Sequence, residues 1–236
     1  MKVNAAAFET IARSIPLTIV ARHKNQIHQL ESLLAGQAGL LNHDFREDYP
    51  KLLKREYLFL QDKYRLHPVH TPVYFLRMRP CNFPSVRLAQ LAALLKGSVH
   101  LFSKIREAGS VKEIRKWFEV EANDYWHYHY KFDEETAFKK KRPGAALVNS
   151  IIINTVVPVL FTYGAYHREN KYKLKALDWL TQITPEVNYI TRGFRKMSIE
   201  NKNAYDSQAL IELKNNYCDS KKCLECSIGN AVLKHE

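Results

Sequence analysis

The chain has 236 residues, with 36 Lys and Arg against 24 Asp and Glu, a formal net charge of +12 and four cysteines. With 46% apolar and 11% aromatic residues it is too hydrophobic for an intrinsically disordered chain. Eight glycines and nine prolines exclude collagen-like or low-complexity structure, and four thiols are too few for a disulfide-built scaffold.

Helical periodicity dominates from the N-terminus onward. Ala5 to Ser14 is amphipathic, and Ile19 to Leu34 carries Ile27, Leu30, Leu33 and Leu34 at helical spacing before Gly36 and Gly39. Tyr49 to Leu66 repeats Leu52, Leu53, Tyr57, Leu60 and Tyr64 every three or four residues, and Pro68 and Pro72 close it. Asn82-Phe83-Pro84 reads as a helix start, with Leu88, Leu91, Ala92 and Leu95 continuing the apolar face to Gly97. Shorter helices are expected near Val99–Arg106 and Val111–Val120. The stretch Asp124–Arg142 is polar and aromatic without a clean period and reads as a long connection. No alternating strand pattern bounded by hairpin turns is visible. Helices at about 145–161, 171–182, 187–197, 205–217 and 223–234 complete an all-α reading. One compact multi-helix domain is expected over residues 1–236, with a cysteine module at 207–236 inside it.

Gly144 to Tyr166 contains no charged residue and is long enough to cross a bilayer. Asn149, Ser150, Asn154 and Pro158 lie inside it, and their polar groups would need partners in lipid. A buried helix of a soluble protein is therefore expected, with the asparagines bonded inside the core and no membrane partner. Glu9 and Arg13 interrupt the N-terminal apolar run, so no secretory signal is expected and the chain reads as cytoplasmic.

The excess charge is concentrated. Residues 51–100 hold nine basic and two acidic groups, whereas residues 1–50 and 201–236 are each balanced at five against five. A basic zone of this kind suits a polyanion, because neutralised phosphates release counterions. Within it, Arg77, Arg79 and Arg87 surround a proline-bracketed helix start, where guanidinium forks and free N–H groups suit a phosphate of DNA or RNA. The plainer use of these arginines is to bind helix-end carbonyls at an interhelix corner. Tyr125 to Tyr130 adds Trp126, His127 and His129, aromatic groups able to stack on unpaired bases or simply to pack beneath a connection.

The most specific string is Cys218-x4-Cys223-x2-Cys226, with Lys221 and Lys222 placing positive charge beside the sulfurs. Zinc and iron–sulfur clusters commonly take four protein ligands in non-catalytic sites. Cys81 is the remaining cysteine, and His127, His129 or His235 are alternative fourth ligands. The competing use is three reduced thiols packed at a helix corner. There is no Walker loop, Gly-x-Ser-x-Gly elbow, His-Glu-x-x-His or dinucleotide fingerprint, so no catalytic residue is assigned and the chain does not read as a self-sufficient enzyme.

Three strings carry a family resemblance: Arg79-Pro-Cys-Asn-Phe-Pro-Ser-Val-Arg-Leu-Ala-Gln-Leu-Ala; Asn154-Thr-Val-Val-Pro-Val-Leu-Phe-Thr-Tyr-Gly; and Ser207-Gln-Ala-Leu-Ile-Glu-Leu-Lys-Asn-Asn-Tyr-Cys, continued by Cys226-Ser-Ile-Gly. The chain resembles the C-terminal half of the bacterial domain-of-unknown-function family 2851, typical of Bacteroidetes. Members of that family are usually longer, and their N-terminal half resembles a PD-(D/E)xK nuclease core with Gly-Pro-Asp-Phe and Glu-Ile-His strings. Neither string occurs here. The resemblance thus implies a truncated or split member whose nuclease-like half lies in a missing segment or a partner chain. Cys218, Cys223, Cys226 and the Arg79 to Arg87 string match the family's strings.

Together these readings predict a basic, metal-stapled helical module that holds nucleic acid for that nuclease-like half. The runner-up is a structural or protein-interaction domain whose cysteines only pack and bind no metal.

Overall fold

In the computed structural model, residues 5–69, 73–75, 79, 82–98 and 100–234 are described. Among them the chain is helical apart from one small hairpin, which bears out the all-α expectation. It groups into two compact units, residues 1–104 with 115–144, and residues 105–114 with 145–236.

The first unit is built around α3 (Ile27–Gln37), whose residues from Leu30 to Gln37 are all buried. Helix α4 (Asp48–Tyr64) and helix α5 (Pro84–Gly97) pack against it. Leu30, Leu34 and Ala38 meet Leu88 and Ala92 together with Ile11 of α1 (Ala5–Arg13), Val20 of α2 (Leu17–His23) and Ile15 between them. Leu53 and Tyr57 of α4 meet Ala35 and Leu41. The periodic run from Ile19 to Leu34 is two helices, not one. Gln26 is extended (φ −116°, ψ 99°), and the His23 ring sits 2.5 Å from Gln29 Oε1 and 2.9 Å from Tyr64 Oη. Those polar contacts fix a corner that apolar spacing cannot reveal.

The expected connection at 124–142 is also ordered. Asp124–Tyr128 forms α8, and β1 (His129–Lys131) pairs antiparallel with β2 (Glu134–Glu135). The turn places Asp133 in the left-handed region (φ 58°), where its carboxylate accepts from the Arg46 and Glu47 backbone N–H groups at 2.8 and 3.0 Å. Strands this short carry too few residues to show period-2 alternation. Leu101–Glu107 and Val111–Phe118 form α6 and α7, near the expected positions.

The second unit opens on a continuous helix, α9 (Ala145–Ile151), a π turn (Ile152–Val156) and α10 (Val157–Tyr166). Pro158 has no N–H for the preceding turn and its ring crowds the carbonyl four residues back, so the wider π turn sits where the regular ladder cannot close. Helix α10 packs on α11 (Asn170–Thr181), and Ile152, Val156, Leu160, Ala176 and Trp179 are buried. This helix is long and apolar enough to cross a membrane by length and composition, and 33% of its most apolar window is buried. The expectation that both asparagines bond inside a core is corrected. Asn154 is exposed and donates to Ser150 O at 2.9 Å, one turn back, and Asn149 is only half-buried. Helices α12 (Tyr189–Lys196) and α13 (Ala204–Glu212) pack together, and a second π turn (Leu213–Cys218), a 3-10 turn (Cys223–Glu225) and α14 (Ser227–Leu233) follow.

Candidate functional site

The basic segment is organised by α4. Leu53, Tyr57 and Leu60 are buried on its inner side, which turns Lys51, Arg55, Phe59 and Lys63 outward, each four residues from the next. Phe59 is 58% exposed, an unusual place for a phenyl ring in the middle of a charged face. Lys63 Nζ stands 5.5 Å from its ring centroid, within cation–π range. Arg65 follows in the left-handed conformation that ends the helix and is exposed. The i+4 spacing of these four residues was readable in the sequence; the overlooked signal was a single aromatic on the polar side of the stripe.

The arginine loop is less free. Arg87 donates to Gln90 Oε1 at 2.7 Å and to Asn82 Oδ1, so it braces the first turn of α5. Arg79 is exposed. Arg77 and Cys81 lie outside the described residues.

The aromatic segment is interior. Trp126, His127 and His129 are only 2%, 7% and 7% exposed. Trp126 Nε1 donates to Glu31 Oε2 at 2.7 Å. His129 stacks on Tyr125 at 3.9 Å and lies between Tyr125 O and Glu47 Oε1. His127 Nε2 is 3.1 Å from Glu121 Oε1. The expectation that these three side chains stack on bases is therefore corrected: their faces are covered by protein. The basic run at 139–142 is also divided. Lys141 is buried over the Tyr130 ring at 3.8 Å and donates to two backbone carbonyls, and that burial pulls its pKa down. Arg142 and Lys140 pair with Glu121.

A family model described as a protein of unknown function (DUF2851) matches residues 1–189. The chain belongs to the DUF2851 family. The DUF2851 match includes α4, Arg79, Arg87 and the buried aromatic segment, whereas Cys218, Cys223 and Cys226 lie beyond its last matched residue. No curated protein and no solved structure matches the chain.

In this DUF2851 chain the three cysteines line one apolar cavity of about 350 Å³, with Phe194, Met197, Ile199, Leu210 and Ile228 among its other walls. They do not converge as a ligand set. Among the described residues no group of three or more His, Cys, Asp or Glu side chains is placed to hold a metal ion. Cys81 and His235, two of the candidate fourth ligands, lie outside the described residues.

Proposed function

We propose that this chain is a nucleic-acid-binding helical module that holds single-stranded DNA or RNA along the outer face of α4. The observation that carries this reading is the row Lys51, Arg55, Phe59, Lys63, in which three cations bracket one exposed ring. Cations spaced along a helix meet successive phosphates, and a solvent-facing ring gives one base a stacking surface of any sequence. Arg65 and Arg79 extend the positive field. The family resemblance supports a partnership with a nuclease-like half supplied by another segment or chain, for which this module would hold the strand.

The test is fluorescence anisotropy of a labelled single-stranded oligonucleotide between about 50 and 200 mM salt. Three phosphate contacts give a slope of log K against log salt of about −2. Affinity absent at low salt, or indifferent to salt, overturns the reading. Equal affinity for an acidic polypeptide of matched charge would instead make the face a docking surface for a protein.

A further inference from the structure

We infer that Cys223 and Cys226 form a dithiol site that is oxidised to an intramolecular disulfide by small-molecule disulfides such as glutathione disulfide. This site is independent of the α4 face and of nucleic-acid binding.

Cys226 N donates to Cys223 O at 3.3 Å, closing the 3-10 turn between them. A turn of this class keeps its first and last Cα atoms within about 7 Å, and a disulfide spans Cα separations of about 4.4–6.8 Å. The turn is held on both sides. Asn230 N donates to Cys226 O at 2.8 Å and Asn230 Nδ2 to Leu224 O at 2.7 Å. Gly229 lies so close that a Cβ there would stand 2.3 Å from Cys223 O. Both cysteines line the same cavity.

Their accessibilities differ in the sense that exchange requires. Cys223 is exposed and Cys226 is half-buried. An incoming disulfide reaches Cys223 first, and the sheltered thiol resolves it. The Cys223 thiolate attacks one sulfur of the small disulfide, forming a mixed disulfide and expelling one thiolate, which takes up a proton. Cys226 gives up its proton and attacks Cys223 Sγ, forming the protein disulfide and expelling the second small thiol. Two electrons pass from the protein dithiol to the small disulfide. Cys218 borders the same cavity and is also exposed, but it stands beyond the left-handed residue Lys221 (φ 52°), outside the closed turn.

This segment also has a physical use for a covalent link. From Leu213 to Leu233 no residue is buried, so apolar packing contributes little to holding the turn.

The experiment is to incubate the full chain with glutathione disulfide, count free thiols and map the products by peptide mass spectrometry. The expected result is a fall from four free thiols to two, with a Cys223–Cys226 bridge. Cys218→Ser should leave that bridge intact, and Cys226→Ser should stop the reaction as a stable glutathione adduct on Cys223. An unchanged thiol count, a bridge to Cys218 or Cys81, or an adduct on Cys218 in the Cys226→Ser variant overturns the assignment.

Discussion

Trp126 Nε1 donates a 2.7 Å hydrogen bond to Glu31 Oε2 across 95 residues of sequence. Tyr49 donates to the same oxygen at 2.9 Å, and Asn123 donates to the Tyr49 hydroxyl oxygen at 2.7 Å. Glu31 Oε1 is buried and has no hydrogen-bond partner among the described residues. Burial outweighs the two hydrogen bonds and pushes the Glu31 carboxyl up from 4.5 to about 7. Between those values the folded chain holds a proton that the unfolded chain has released, so stability falls as pH rises from 4.5 to about 7 and is flat above it. The shift corresponds to about 3 kcal/mol. In Glu31→Gln, urea unfolding at pH 5 and pH 8 should lose most of this difference. Trp126→Phe removes a donor that favours the charged form and should move the midpoint to higher pH. An unchanged pH slope in Glu31→Gln would show that the Glu31 pKa is the same in the folded and unfolded chain.

Gly36 gives a prediction whose sign runs against helix propensity. Replacing a helical glycine with alanine ordinarily gains up to about 1 kcal/mol. Here a Cβ would stand 2.1 to 2.3 Å from the Tyr57 ring, and Tyr57 is itself buried against Ala35, Leu41 and Leu53. Gly36→Ala should therefore lose about 1–3 kcal/mol in chemical unfolding. The atoms in the way belong to the ring, so Tyr57→Phe should not relieve the loss. Tyr57→Leu should relieve part of it, giving strong non-additivity in the double variant.

Legibility in the sequence followed the range of the forces involved. Helices α4 and α5 were readable because an apolar stripe encodes each of them, with Pro84 at the start and Gly97 at the end of α5. The corner between α2 and α3 was not, because it depends on His23 meeting Tyr64 across 41 residues. The aromatic string at 125–130 was correctly marked as unusual, yet its composition alone does not distinguish an exposed stacking ladder from a buried one. What decides between them is a set of distant carboxylates, Glu31 for Trp126 and Glu47 for His129. The cysteine spacing was likewise visible, whereas the turn that separates Cys218 from the other two is a matter of local backbone geometry at Lys221.

Asn188 anchors the start of α12. Its side chain accepts from Thr191 N at 3.0 Å, and Thr191 Oγ1 accepts from Asn188 N at 3.0 Å, the reciprocal pattern of a capping box. Asn188→Ala should cost about 1 kcal/mol, measured as a lower urea midpoint at constant slope, while Asn188→Asp or Asn188→Ser should recover most of it. Loss of stability by the aspartate variant equal to that of the alanine variant would show that the cap contributes little.

The α4 face separates two contributions that can be measured apart. Lys51, Arg55 and Lys63 are exposed, so changing them to alanine should leave the fold intact and act on binding alone. Each removal should flatten the salt slope for single-stranded nucleic acid by about 0.7. Phe59→Ala removes a stacking surface but no charge. It should weaken single-strand binding by about 1–3 kcal/mol, roughly 5- to 150-fold, with the salt slope unchanged. On a duplex, where no base face is free, the same variant should have little effect. If Phe59→Ala instead leaves single-strand affinity intact while the cation variants reduce it, the ring serves packing against Lys63 and the face reads phosphates only.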